Sequence, residues 1–357
     1  MFLKERIKIP TILLILLFAA ILLKGLTGYV YAFSIPENNK VSKSKKGDDK
    51  GTYHNGITIS LATRAAECGI CHQKEFHEWR YAANSDLDSI GKGTYHALSS
   101  TEEMYKEMLN GTSSEFHIYC KGCHESGNAW SVEDKVNNIP EPRTENVNEG
   151  INCVVCHYDG SRIVGKKELK DPLFCATCHN QGDQFTDTYI EWLYDYKGGK
   201  TCQQCHMKKD SHLFVGLHSP SLLRDAVKIS KPLIPDYIVA GVAFDIQFNI
   251  ANYGAGHSVP VDILRVFRVR TAILDSANVE INSHEESFYK RFAFFGEDTS
   301  QTKVIKAGEV KYFTVQMIID RPGIYNLKVE LLQDTNRLGI LNSSIFMGGS
   351  YKTFAVQ

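Results

Sequence analysis

The ten cysteines of this 357-residue chain fall into five copies of one pattern: two cysteines separated by two residues and followed at once by histidine. The copies are Cys68-Gly-Ile-Cys71-His72, Cys120-Lys-Gly-Cys123-His124, Cys153-Val-Val-Cys156-His157, Cys175-Ala-Thr-Cys178-His179 and Cys202-Gln-Gln-Cys205-His206. Thiols about one helical turn apart can add to the two vinyl groups on one porphyrin edge, and the adjoining imidazole then swings beneath the iron. The pattern predicts five covalently bound c-type haems, held by these ten cysteines and ligated by His72, His124, His157, His179 and His206.

Other uses of paired cysteines do not fit. A zinc site has no reason to place a histidine directly after every second cysteine, and a disulfide framework has no use for the histidine at all. A thioredoxin-like redox pair would occur once, on a βαβ unit.

The sixth ligand of each iron decides between carrier and catalyst. A second imidazole makes a six-coordinate, low-spin iron suited to electron transfer, whereas an open position could bind a substrate. Five irons need five more histidines, and eight lie outside the motifs: His54, His77, His96, His117, His212, His218, His257 and His284. His96 opens a helix-like stretch beyond the first motif, with Gly93 on its approach side. His212 and His218 flank an apolar, Gly-containing loop that could turn one imidazole toward each of two neighbouring haems. His257 lies in Asn252-Tyr-Gly-Ala-Gly-His-Ser-Val-Pro260, where two glycines bare the backbone, and His54 and His117 stand just ahead of the first two motifs. These six are the expected distal ligands; His77 and His284 read as ordinary polar side chains.

The elements that must position these residues divide the chain. Lys4, Arg6 and Lys8 precede an apolar run from Ile9 to Leu23, and Val30-Tyr-Ala32 suits a cleavage site, so residues 1–32 read as a secretory signal, or as an N-terminal anchor if uncut. Export agrees with haem attachment outside the cytoplasm and predicts an extracytoplasmic location. Residues 33–51 read as a flexible linker, since the stretch from Glu37 to Lys50 is polar and charged.

Residues 52–229 are expected to form a mostly helical and looped pentahaem domain, with short helices such as Gln73–Ala83 and Glu102–Leu109. Successive motifs begin only 22 to 52 residues apart, which leaves little room for an aliphatic core, so porphyrins must supply most of the buried apolar surface. Residues 230–357 carry no cysteine. There, Tyr237–Asn252, Leu264–Leu274, Val310–Ile319 and Gly323–Leu332 read as strands separated by turns, which predicts an antiparallel, Ig-like β-sandwich. With 40 basic and 41 acidic residues, net charge gives no reason to expect nucleic-acid binding.

Residues about 66–180 resemble the tetrahaem cytochrome c-554 family. The resemblance rests on Glu67-Cys68 to Trp79, then Tyr95-His96-Ala97, then Gly150-Ile-Asn-Cys153-Val-Val-Cys-His and Phe174-Cys175-Ala-Thr-Cys-His in the family's order. It implies haems in closely packed pairs, electron transfer outside the cytoplasm, and His96 as a distal ligand. The chain departs from that family by an insertion between Trp79 and His96, by the fifth site, and by the C-terminal β region. The added parts look like those of larger multihaem cytochromes in which a Gly-Ala-Gly-His loop follows the haem region.

The function expected is electron carriage along close-packed, mostly bis-His haems, between donor and acceptor cytochromes or a quinol-oxidising complex. Two alternatives come from other classes. One is a redox enzyme acting on a small nitrogen compound at an open iron, against which all five motifs end in His rather than Lys. The other is a subunit of a homo-oligomer or extracellular filament, with His54 or His257 donated across a subunit boundary.

Overall fold

The computed structural model describes residues 40–41, 51–81, 121–180, 187–216, 219–261, 265–291, 298–334 and 344–357. The signal or anchor segment, nearly all of the linker, the helix expected at 102–109, Cys120, His96, His117 and His218 lie outside the described residues. Among the described residues no helix is long and apolar enough to cross a membrane.

The chain from Thr52 to Ala226 folds as short helices strung between turns. A hairpin of β1 (Thr52–His54) and β2 (Ile57–Ile59) comes first. Then come α1 (Ala65–Gly69), α2 (Gln73–Tyr81), α3 (Cys153–His157), α4 (Leu173–His179), α5 (Thr188–Asp195), α6 (Cys202–His206) and α7 (Pro220–Ala226). Residues 121–124 are also helical. Helices this short do not persist alone, so each is held by specific bonds. In α6 the cap is reciprocal: the Thr201 hydroxyl accepts from the Gln204 amide, and the Gln204 side chain accepts from the Thr201 amide.

Side chains then tie one motif to the next. Trp79 Nε1 donates to Ile151 O at 2.8 Å and Trp130 Nε1 to Cys156 O at 2.9 Å, fixing both flanks of α3. Trp130 also packs on Phe174 of α4, ring centres 4.6 Å apart. Gln203 Nε2 donates to Leu169 O at 2.7 Å, which sets α6 beside the entry to α4. The buried apolar groups here are small: Ile59, Val154 and Tyr158 form one, Ala65 and Trp79 another.

Beyond Ala226 the period of burial changes from helical to alternating. Strands β3 (Val227–Ile229), β4 (Phe244–Asn252) and β7 (Val310–Met317) form a three-stranded antiparallel sheet in the order β3-β4-β7. Strands β5 (Val266–Leu274), β6 (Glu280–Phe288), β8 (Gly323–Asp334) and β9 (Ser344–Val356) form a second antiparallel sheet in the order β9-β8-β5-β6. Phe244, Ile246, Phe248 and Ile250 of β4, Phe267, Val269 and Ile273 of β5, and Tyr325, Leu327, Val329 and Leu331 of β8 alternate inward into one shared cluster. Phe248 and Phe313 are direct cross-strand partners whose rings lie 4.9 Å apart and nearly parallel. Full burial of such side chains contributes about 1.5–3 kcal/mol each.

The expected strands are present with shifted bounds, and three were missed. β3 begins before residue 230 and pairs with β4, so sheet structure starts directly at the end of α7. β6 is largely polar, as an edge strand with much of its surface in water can be. β9 carries Gly348-Gly349 in its interior, and its register with β8 shifts just before them, at Met347. The residues from Pro36 to Gln357 group as one compact unit.

Candidate haem-binding sites

Three motif histidines face a second imidazole from elsewhere in the chain. His72 lies opposite His54 with ring centres 6.5 Å apart and planes 16° from parallel. His157 lies opposite His212 at 6.1 Å and 28°, and His206 opposite His257 at 6.3 Å and 12°. Parallel rings in contact would stand far closer than this. An imidazole nitrogen sits about 2.0 Å from a transition metal and its ring centre about 1.1 Å further back, so two imidazoles on opposite sides of one ion have centres about 6.2 Å apart. The three separations match the width that an iron requires.

The ring nitrogens are arranged for that role. His157 Nδ1 bonds Val164 O at 3.1 Å, His206 Nδ1 bonds Val215 O at 2.5 Å, and His257 Nδ1 bonds Ser258 O at 3.0 Å. A carbonyl accepts only from N–H, so Nδ1 carries the proton and Nε2 keeps its lone pair for a metal. Burial lowers the pKa of His157 and His212 and pushes that of His257 down to about 4, which favours the neutral, ligating form. The residues present therefore fit bis-histidine iron at three of the five motifs.

The distal residues are carried by distinct devices. His54 ends β1, and the hairpin turns it back over the first motif. His212 follows the turn after α6, where its amide donates to Glu78 of α2 at 2.8 Å. His257 is held by the loop between β4 and β5. Gly254 passes so close to α7 that an added Cβ would stand 2.0 Å from Asp225 O, and Gly256 rests on Trp192 and Tyr196. Ser258 then fixes the loop on α5: its amide and its hydroxyl each lie 2.8 Å from the Glu191 carboxylate. Lys290, only 5% exposed, pairs with Glu191 at 2.6 Å and with Asp187. Burial raises the Glu191 pKa, with Asp187 acting in the same direction and Lys290 in the other.

This support for His257 had no sequence signal, since Glu191 and Lys290 are 67 and 99 residues from their partners. His77 is exposed on α2 with its ring against Phe76, and His284 is exposed on edge strand β6. His124 and His179 follow their cysteines as expected, and His179 is close enough to His257 to depress its pKa electrostatically. Among the described residues no group of three or more His, Cys, Asp or Glu could hold a bare metal ion.

The anchoring cysteines are also brought together. The Cys68 and Cys153 side chains lie close enough to interact, as do those of Cys175 and Cys202. Cys156 and Cys178 interact electrostatically.

The fold is similar to that of a penta-heme cytochrome c552 from Thermochromatium tepidum. The TM-score is 0.58 at 14% identity, covering 82% of this chain and 99% of that one. That coverage exceeds the part of the chain ahead of β3, so the likeness reaches into the sheets, and at this identity it is a likeness of fold. A weak match covers 37% of this chain and 87% of the CARDB domain of the PF1109 protein from Pyrococcus furiosus (TM-score 0.23, 13% identity). A match to the C-terminal domain of wzt is equally slight (TM-score 0.27, 11% identity, 37% of this chain and 74% of that one). No protein-family model matches the chain, and no curated protein sequence does.

Proposed function

We propose that the protein is an extracytoplasmic pentahaem c-type cytochrome that carries electrons and performs no bond-breaking chemistry. The observation that carries this reading is the set of three imidazole pairs, each joining a CxxCH histidine to a distant one across a gap of iron width. Haem supplies reversible one-electron redox chemistry at each motif. At these three motifs the residues would hold an iron between two imidazoles, a ligation that would change little on reduction and leave no position there for a substrate.

Site order follows from the cysteines. Contact between Cys68 and Cys153, the interaction of Cys156 with Cys178, and contact between Cys175 and Cys202 support a path through the first, third, fourth and fifth motifs. The resemblance of residues about 66–180 to the tetrahaem c-554 family belongs to the same reading. His54 and His257 each face a motif histidine of their own chain, which favours a self-contained carrier over ligands donated between subunits. Donor and acceptor are proposed to be redox proteins.

We read residues 230–357, with β3 ahead of them, as an Ig-like sandwich that seats the His257 loop. Seven strands divided three and four support this, as does the Tyr325 hydroxyl donating to Arg321 O at 2.9 Å where the chain enters β8.

Low-temperature electron paramagnetic resonance of the oxidised holoprotein, with mass spectrometry, tests the proposal. Five haems and a spectrum dominated by low-spin irons are expected. A high-spin iron that shifts on adding nitrite or hydroxylamine would overturn the carrier reading, and fewer than five haems would overturn the count.

A further inference from the structure

Arg143 lies on the segment that backs the second motif. An added Cβ on Gly122, inside Cys120-Lys-Gly-Cys-His, would stand 2.6 Å from Pro140 O and 2.7 Å from Ile139, and the Arg143 amide donates to Glu125 O at 2.8 Å, one residue past His124. The side chain turns toward the third motif, where Nη2 donates to Asn146 O at 3.1 Å and Gly150 O at 2.5 Å.

The residue is 7% exposed, yet Nε and Nη1 are buried without a hydrogen-bond partner. Glu149 and Glu125 act on Arg143 through their charge, but neither reaches its two free donors. Glu149 Oε2 accepts from the Ala65 amide and from Asn152, both at 2.9 Å, and its Oε1 faces Arg64. Glu125 faces Lys121. Arg143 forms no ion pair within 4.0 Å among the described residues. A guanidinium cannot shed its proton to escape burial, and a buried donor left without a partner is costly, more so on a charged group. An anion on these donors would satisfy them with charge-assisted bonds and complete the neutralisation that the two carboxylates begin.

We propose that Arg143 is the buried counter-charge for a porphyrin propionate, and that it raises the reduction potential of the haem whose carboxylate it receives. The proposal rests on the haem reading above. A cation beside a propionate cancels negative charge that would otherwise favour the ferric state, and low dielectric strengthens that effect. Arg143 sets a potential and positions a cofactor; it is not catalytic.

The test uses the purified holoprotein and its Arg143→Gln and Arg143→Lys variants. Haem count and low-spin count are measured first: fewer than five haems in the unmodified protein would be a failure of the haem reading itself. With haem content intact, spectroelectrochemical titration of Arg143→Gln should lower one of the five potentials and leave the others in place. Resonance Raman should show a shifted propionate band, and Arg143→Lys should restore most of the potential. Unchanged potentials and propionate bands in Arg143→Gln overturn the proposal, as does an equal shift of all five. If Arg143→Gln does not accumulate, Arg143→Lys carries the test, and an unaltered propionate band there overturns it. Exchanging chloride for sulfate should leave the unmodified protein's potentials unchanged; a potential that follows the added salt would assign the site to a free anion and overturn the propionate assignment.

Discussion

At the scale of single residues, haem attachment and distal ligation obey different constraints. Cysteine spacing and the histidine behind it name the attachment sites directly, because covalent geometry demands adjacent positions. Distal ligands obey no such rule. His54, His212 and His257 reach His72, His157 and His206 through a hairpin, a turn after α6 and a sheet loop, so only three-dimensional packing shows which faces which. His257 came closest to being readable, because its two glycines signalled a close approach, and Gly254 and Gly256 do meet α7 and α5. Changing His54, His212 or His257 to Ala should each turn one low-spin iron high-spin and leave the rest low-spin, read by electron paramagnetic resonance. His284→Ala, on the exposed edge of β6, should change nothing. If His212→Ala leaves the low-spin count intact, the third motif takes its sixth ligand from another residue.

At the scale of elements, polar edges hide strands. Phe244–Asn252 and Gly323–Asp334 announce themselves by alternation because one face meets the core, whereas Glu280–Phe288 keeps only Phe288 fully buried. The outer face of the second sheet is ordered by charge. Arg268 holds Asp334 through Nε at 2.6 Å and Nη2 at 2.9 Å and reaches Glu285 at 2.8 Å, while Ser344 adds a bond to Asp334. Burial acts to raise the Asp334 pKa, but the hydrogen bonds from Arg268 and Ser344 and the Arg268 charge outweigh it, and the net shift is downward. A carboxyl whose folded pKa is depressed stabilises the fold fully above the unfolded value of about 3.9 and loses that contribution as pH falls through the folded value. Asp334→Asn should therefore cost about 1.5–3 kcal/mol near neutrality, and the gap between variant and parent should close below about pH 4. Thermal unfolding across pH measures this; a gap that stays constant into acid would show that Asp334 acts by shape rather than charge. The loop between β4 and β5 gives a second test. In Gly254→Ala the methyl would collide with the Asp225 carbonyl. The backbone must move, at a cost of about 1–3 kcal/mol, and the fifth motif's iron should become partly high-spin. A variant with unchanged stability and spin state would mean the loop is not held by this contact.

At the scale of the whole molecule, the two kinds of structure differ in what they bury. The sheets enclose a continuous apolar cluster that runs from Leu223 to Val356, whereas among the described residues between Thr52 and Ser219 the clusters are small, around Val154 and Trp79. Helices of five to nine residues with so little core cannot offset their ordering entropy, which runs to about 1–2 kcal/mol per residue for the backbone alone. On the haem reading proposed above, porphyrins would supply further apolar surface, which would couple haem attachment to the folding of this region. Attachment should matter far less to the sheets, whose core is made from their own side chains. The full chain made without haem attachment, or carrying Cys153→Ser and Cys156→Ser, should keep the β-sheet signal in far-ultraviolet circular dichroism. It should lose helical signal and become protease-sensitive between Thr52 and Ala226, with protection persisting from about Val227 onward. Retention of native protection around α3 in haem-free protein would show that the side-chain ties through Trp79, Trp130 and Gln203 suffice to order the helical region. Loss of the sheets together with it would show that the Glu191, Ser258 and Lys290 contacts bind the two regions into one cooperative unit.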